Sequence, residues 1–542
     1  MSFVVTAGRR AATLGSRCPT ALLACACGLA ALLSCCVAAL APAIARADHT
    51  QESIFQDDQY LIYSGPAIAD HTLAQLHSLG VQRIRVNVKW STLAPDSASV
   101  TRPADFDATN PADYPAGGWT RYDEVLVLAE MHGIGVEFNI TDPGPLWAMG
   151  QDSPTARAAD HWKPSAVEFG QFMQALGTRY SGSYGPLPRV HDWSIWNEPN
   201  QPGWLAPQSL SHRGPQSPRL YRQYVDSAYR GLSASGHLGG RDTILIGELA
   251  PVGFSTPGFY TAIEPMPFLR SLYCVDSRYR PLTGSSASAL GCPTRGPRRA
   301  FVARNPGLFS ATGFAQHPYD FLLAPGKSAP QPSFVPIANL SRLEQGLDRA
   351  FGAYGVHRQI PLYLTEYGYQ TNPPDPYQIV TPAQQAAYIN QADYMAWRDP
   401  RVHSMAQFLL YDALPDPRFT PQEFGYWDTF QTGLLYADGK PKPAYDAYRM
   451  PIWIPSPRIH RGGRMFIWGQ LRGAAHNVTQ RADIQWRPAG GAFRTIAVVS
   501  TRNRVDFLTS TVRLRASGEV RIAWRSPSSG VLTSRSVAVR VG

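Results

Sequence analysis

Between residue 60 and residue 450, short apolar runs alternate with longer stretches in which apolar positions recur every three or four residues. The short runs predict eight strands: Tyr60 to Ser64, Arg83 to Trp90, Ile134 to Thr141, Val190 to Asn197, Thr243 to Ala250, Ala311 to His317, Pro361 to Glu366 and His403 to Tyr411. Tyr60 to Ser64 has the weakest alternation of the set. Helical spacing is plainest in Tyr122 to His132, Ala166 to Tyr180, Leu340 to Tyr354 and Ala383 to Trp397, with Gly80 and Gly133 placed as C-terminal caps. Strand and helix in alternation argue for a parallel sheet covered by helices, and eight such strands close a (β/α)8 TIM barrel. The long excursions all follow strands: Ser91 to Gly118, the stretch opened by Asp142 to Trp147, Gln201 to Trp204, Pro251 to Pro306 and Asp412 to Phe430. Strand-to-helix loops line the catalytic face of a barrel, so chemistry is expected there.

Past a linker at Pro451 to Pro457 the period changes to two. Arg464 to Gln470, Ala482 to Arg487, Thr495 to Ser500, Val512 to Ala516, Glu519 to Arg525 and Arg535 to Val541 are short strands separated by Gly, Ser and Asn, the pattern of a small all-β sandwich. The chain therefore divides into residues 1–47, a barrel over 48–455 and a sandwich domain over 456–542.

Two strands end on a carboxylate. Trp193 to Trp196 is a short apolar run that stops on Asn197-Glu198-Pro199-Asn200, and Pro361 to Thr365 stops on Glu366 before Gly368. Between them the sixth strand ends on His317-Pro318-Tyr319. Trp-Asn-Glu-Pro-Asn, His-x-Tyr and the second Glu, in that order, resemble the motifs of the retaining glycoside hydrolases of clan A, notably families 5 and 39 with their cellulase-type barrel. The resemblance implies an O-glycosyl hydrolase acting on β-glycosidic bonds of an oligo- or polysaccharide, of the cellulase, xylosidase or mannanase kind. It gives Glu198 the part of acid/base and Glu366 that of nucleophile. Asn197 would bind the sugar 2-hydroxyl, Arg85 would lie beneath the nucleophile, and Tyr319 and His317 would complete its shell. Retention requires the two carboxyl groups to stand about 5 to 5.5 Å apart, one carrying the proton and the other the charge. Hydrogen-bond donors and positive charge around Glu366 are expected to hold it ionised. Trp90, Trp147, Trp204 and Trp427, at strand ends or in the loops above, are candidate sugar platforms. The chain departs from the pattern twice. Leu409 to Asp412 replaces the family-5 Trp after the eighth strand, and the third strand, Glu137 to Thr141, lacks the expected His. A carbohydrate-binding protein on a glycosidase scaffold is the alternative.

Composition alters this picture at the two ends. Residues 1–47 place Arg9, Arg10 and Arg17 before an apolar run from Ala21 to Leu40 and close on Ala45-Arg46-Ala47, which reads as a signal peptide and predicts a secreted protein. Leu-Leu-Ala before Cys25 and Leu-Leu-Ser before Cys35 offer a lipid-attachment box instead. With residues 1–47 go five of the seven cysteines, leaving Cys274 and Cys292, a pair that in an exported protein is expected to form a disulfide. Of the net charge of +10, four arginines leave with the signal, so +6 remains; residues 456–542 hold fifteen arginines against three acids, and the central region is −6. The basic domain suggests an anionic cell-wall polymer as a second partner beside the carbohydrate substrate. No H-E-x-x-H, G-x-S-x-G or G-x-x-x-x-G-K-[ST] sequence occurs, so a zinc protease, a serine-hydrolase elbow and a phosphate loop are excluded. No cofactor, metal or nucleic acid is expected, and the chain is read as a monomer.

Overall fold

The computed structural model describes residues 50–210, 214–256, 258–527 and 529–542. The signal-peptide reading of residues 1–47 lies outside them. Eight parallel strands close into a barrel: β1 (Glu52–Gln56), β2 (Arg83–Lys89), β3 (Gly135–Thr141), β4 (Asp192–Ile195), β5 (Thr243–Leu249), β6 (Gly313–Gln316), β7 (Leu362–Leu364) and β8 (Val402–Phe408). Each pairs with its sequence neighbours, and β8 closes the ring on β1. Outside lie α1 (Pro66–Ser78), α2 (Ala116–Met131), α3 (Ala166–Arg179), α4 (Ser217–Ala234), α5 (Pro265–Leu272), α6 (Leu340–Ala353), α7 (Pro382–Arg398) and α8 (Pro443–Arg449).

Seven strands overlap the expected ones, and the first does not. β1 is Glu52–Gln56, whose Ile54 and Phe55 are fully buried, whereas Gln59–Tyr63 forms a helical turn. The Leu61 amide donates to the Asp57 carbonyl at 3.0 Å, four residues back, so the segment satisfies its backbone within itself as a helical turn does and not across a sheet.

The period of two in β2 and β3 sorts their side chains. Ile84, Val86, Val88, Phe138 and Ile140 join the core beneath the helices, while the alternate positions, Arg85, Asn87, Glu137 and Asn139, fill the barrel interior with polar groups. Arg85 pairs in register with Glu137, and Asn87 with Asn139. Such an interior must satisfy its own hydrogen bonds, and it is the base on which the site is built.

Helix ends follow local chemistry. The Ser165 side chain accepts from the Glu168 amide at the start of α3, and Thr381 and Gln384 form a reciprocal capping box ahead of α7. Gly80 (φ +76°) and Gly133 (φ +66°) take the left-handed conformation after α1 and α2. The excursion from Pro251 to Pro306 carries short helices, Pro265–Leu272, Gly284–Ala289 and Arg298–Arg304, and Cys274 and Cys292 within it are bonded to one another, 18 residues apart.

The all-β region begins with β9 (Ile452–Trp453), slightly before residue 456. It continues as β10 (Arg458–Ile459), β11 (Arg464–Gln470), β12 (Gln480–Arg487), β13 (Arg494–Thr501), β14 (Phe507–Arg513), β15 (Gly518–Ser526), β16 (Gly530–Thr533) and β17 (Val537–Val541). One sheet runs β9-β11-β14, the other β10-β17-β15-β12-β13 with β16 on β15. Ile467 from the first and Ile484, Val520 and Ile522 from the second share one core, which makes the region a sandwich. It packs on α7: Tyr394 and Trp397 meet Trp468 and Phe507, and Arg472 pairs with Asp393 at 3.0 Å.

Candidate active site

At the C-terminal end of β4 the chain turns sharply. Trp196 has φ +68° and Glu198 φ +34°, a conformation that bulky side chains avoid unless the surroundings enforce it. The surroundings do so here. The Trp196 indole is buried against Phe169 and Tyr224 and donates to the Trp204 carbonyl at 3.0 Å. Asn200 clasps the next loop, donating to the Ala250 and Ile263 carbonyls and accepting from the Ala250 amide. Glu198 is thereby held at the wall of a cavity of about 710 Å³ at the mouth of the barrel, which Asn197, Glu366, Tyr319 and Trp204 also line.

Glu366 stands two residues past β7. Its Oε1 accepts from Arg85 Nη1 at 2.7 Å and its Oε2 from the Tyr319 hydroxyl at 3.1 Å. Arg85 Nη2 donates to Asn197 Oδ1 at 2.7 Å, so one guanidinium fixes both the nucleophile candidate and the amide beside the acid candidate. His317 bridges the two carboxylates: Nδ1 is 2.9 Å from Glu198 Oε1 and 3.5 Å from Glu366 Oε2. Single oxygens of Glu198 and Glu366 and a nitrogen of His317 lie within 4.8 Å of one another.

A third carboxylate holds this arrangement from below. Glu248, fully buried on β5, accepts from His317 Nε2 at 2.5 Å, Arg85 Nη2 at 3.1 Å, Thr365 Oγ1 at 2.7 Å and the Ser194 hydroxyl. Strict alternation would turn it outward with Ile244 and Ile246. The chain avoids this at Gly247 (φ +110°) and Glu248 (φ +47°), where the register to β6 slips and the carboxylate turns into the barrel. Only glycine fits at 247, since a Cβ there would stand 2.6 Å from the Ala315 carbonyl and the Phe314 ring.

The charges sort accordingly. Burial alone would lower the His317 pKa, but Glu366, Glu198 and Glu248 raise it to about 10, so both ring nitrogens carry protons at neutral pH. Burial would raise Glu248, yet Arg85 and His317 bring it down to about 2. Glu137 goes the other way, pushed up to about 7 by burial and by Glu248, with Arg85 opposing. Glu366 lies above its ordinary range because burial outweighs His317 and Arg85. The cations expected to hold it ionised are present, but they offset desolvation without reversing it. Burial keeps the Tyr319 hydroxyl protonated, hence a donor.

Among the aromatic candidates only Trp204 lines the cavity. Trp90 is buried against Phe169 and Phe172; Trp147 packs edge-on to Trp90 and Phe106 and donates to the Pro95 carbonyl. Trp427 packs on Tyr426 and donates to the Pro421 carbonyl within its own loop. None of these three lines the cavity, and the contacts of each ring lie elsewhere. In the third strand, which carries no His, Asn139 is hydrogen-bonded to Asn87 at 2.7 Å. In place of the eighth-strand Trp, Leu409 (φ +71°) lines the cavity beside Phe408.

The sequence reading missed Gln56, Asp58 and Asn87, which line the cavity floor, as well as Glu137 and Glu248. Asn87 and Glu137 were signalled by the polar alternation of β2 and β3, and Glu248 by a glycine inside an apolar strand. Asp58 went unseen because the first strand was misplaced; it accepts from the Asn87 amide and side chain at 3.1 and 2.9 Å.

Among the described residues, Glu198, His317 and Glu366 are the group that could hold a metal ion. A metal would have to displace the proton of an imidazole that three carboxylates hold protonated, which disfavours it.

No family model and no curated protein matches the chain. Among solved structures it is similar to a glucosidase from Croceicoccus marinus (12% identity, 87% of this chain and 94% of that one, TM-score 0.44). It is also similar to a GH5_18 protein from Streptomyces cattleya in complex with GlcNAc (14%, 74% and 79%, TM-score 0.43) and to a GH5_18 protein from Bifidobacterium longum subsp. infantis (13%, 74% and 77%, TM-score 0.42). Likeness at this distance does not bear on activity.

Proposed function

We propose that the protein hydrolyses β-glycosidic bonds with retention of anomeric configuration. The observation that carries this reading is one cavity in which oxygens of Glu198 and Glu366 lie within 4.8 Å, Glu366 being held by Arg85 and Tyr319. An oxygen-to-oxygen spacing of this order supports direct attack over inversion, in which the carboxyl groups stand roughly 6.5 to 9.5 Å apart to admit a water. Glu366 attacks the anomeric carbon while Glu198 gives its proton to the departing oxygen, so the glycosidic C–O bond breaks and the leaving group departs as an alcohol. Glu198, now a carboxylate, takes a proton from water, whose oxygen displaces Glu366 and restores both groups. Asn197, fixed by Arg85, is placed to bind the sugar 2-hydroxyl, a contact that strengthens as the ring flattens.

A panel of aryl β-glycosides and soluble β-glycans, run beside Glu366→Ala, tests the reading. Turnover that the variant abolishes supports it; sugar binding without turnover by the wild type favours the binding-protein alternative. The enzyme acts outside the cell after losing residues 1–47, and an exported chain beginning at Asp48 is the expected product. The arginines of residues 456–542, most of them exposed, hold it on an anionic polymer. Retention on such a polymer should then fall steeply with added salt.

A further inference from the structure

We propose that the leaving group of the natural substrate is apolar, an alkyl or lipid-like aglycone, and not a second sugar. The inference rests on the hydrolase reading of Glu198 and Glu366 and adds the substrate class. The cavity changes character with depth. At the strand ends its lining is polar, with Gln56, Asp58, Asn87 and Asn197 beside the two glutamates, and these are the groups that can satisfy the hydroxyls of one sugar ring. Farther from the strands, the loops after β5, β6, β7 and β8 supply Val252, Phe321, Leu322, Tyr377, Phe424 and Phe430. Five of these are substantially solvent-exposed: Phe321 52%, Leu322 48%, Tyr377 45%, Phe424 62% and Phe430 54%. The charged groups of the described lining, Asp58, Glu198 and Glu366, all belong to the strand ends, and the polar groups farther out are uncharged: the amides of Gln201, Gln370 and Gln378, the hydroxyls of Thr432 and Tyr377 and the Trp204 indole.

A sugar held on Glu366 at the floor directs its leaving group outward along this wall. The wall is continuous with the chemistry. Tyr319, which donates to Glu366, stacks on Phe321 at 6.2 Å, and Tyr377 meets Phe424 edge-on at 5.3 Å. Phe321 is held at φ +55°, a conformation unfavourable for a bulky residue, with its ring left exposed. A second sugar would need hydrogen-bond partners for its own hydroxyls and flat rings for its faces. The rings of Phe321, Tyr377, Phe424 and Phe430 offer a flat face to either kind of group, but Val252 and Leu322 offer nothing to a hydroxyl and no charged side chain of the described lining stands among them to bind one, while an apolar chain gains from all six.

The test compares octyl and methyl β-glycosides of glucose, galactose, mannose and xylose, below micellar concentrations, with cellobiose, lactose, mannobiose and xylobiose. Octyl and methyl alkoxides are leaving groups of nearly equal basicity, so their ratio reports binding along the wall and not the chemical step. For the sugar that is accepted, kcat/KM for the octyl glycoside should exceed that for the methyl glycoside by on the order of 30-fold or more, carried mainly by KM. The octyl glycoside should also exceed the disaccharide. Phe424→Ser with Phe430→Ser should bring the octyl-to-methyl ratio down at least several-fold, and a ratio that stays unchanged in the folded variant counts against the proposal. Turnover with equal octyl and methyl values, or with the disaccharide preferred, overturns this inference and leaves the hydrolase reading intact. No turnover of any glycoside overturns both.

Discussion

At the scale of single residues the account turns on proton placement around His317. Its imidazole is clamped between Glu198 and Glu248 and faces Glu366, with a folded pKa of about 10 against an ordinary value of 6.5. A pKa raised by folding contributes stability that is fully present below about pH 6.5 and is lost as pH rises through about 10. The melting-temperature difference between wild type and His317→Gln should therefore be largest below pH 6.5 and shrink towards pH 10. A difference that grows with pH contradicts the assignment. Glu248→Gln removes one of the carboxylates that hold the proton, so the pKa of the His317 imidazole, read by NMR, should fall by roughly 1 to 3 units. A merely structural Glu248 would lower activity without moving that pKa. Glu198→Gln should lower kcat/KM for alkyl glycosides by roughly 10²- to 10⁴-fold while sparing kcat/KM for substrates with acidic phenol leaving groups, because only the former need a proton donor in the first step. The ratio of the two rates checks this. Glu198, Glu366, His317 and Tyr319 were legible in the sequence because each ends a strand in a recognisable order. Glu248 was not, since its orientation depends on a backbone irregularity that alternation assigns to the wrong face.

Among the elements, β5 shows how a strand can supply a polar group by breaking its own rule. Gly247→Ala would place a Cβ 2.6 Å from the Ala315 carbonyl at a φ of +110°. It should cost roughly 2 kcal/mol or more, and it should lower kcat by disturbing Glu248. Thermal melts and kinetics on the same sample separate the two effects. The excursion after β5 is tied by Cys274 and Cys292, and replacing both by Ser should cost about 3 kcal/mol in the chain-entropy model for a loop of this length. Denaturant unfolding measures it. The helices α3, α6 and α7 could be read from periodicity to within a residue or two, because their apolar stripes face one core. β1 could not be placed in the same way: Glu52–Gln56 carries only two large apolar residues, and a stronger apolar run eight residues later belongs to a helical turn.

For the whole molecule, the sandwich is part of the barrel's support. Trp468 and Phe507 cover Tyr394 and Trp397 of α7, Arg472 pairs with Asp393, and Arg535 donates to Asn390 at 2.9 Å. The contact is close enough that a Cβ on Gly80, after α1, would meet the Arg472 carbonyl at 1.9 Å. Deleting residues 456–542 would uncover this aromatic surface, so the truncated barrel should melt well below the full chain and aggregate, and calorimetry of the full chain should give a single transition. Two separate transitions would contradict a joint core. The sandwich was legible as strands, but its attachment was not, because Trp397 and Trp468 read from sequence as ordinary core positions of separate domains.

The central claim is that Glu366 forms a bond to the sugar, and mass spectrometry of protein inactivated by a 2-deoxy-2-fluoro glycosyl donor of the accepted sugar tests it most directly. The account predicts one added glycosyl mass, located on the peptide containing Glu366 and released when an acceptor is supplied. A label on any other residue, or none from a donor whose parent glycoside is hydrolysed, would contradict it.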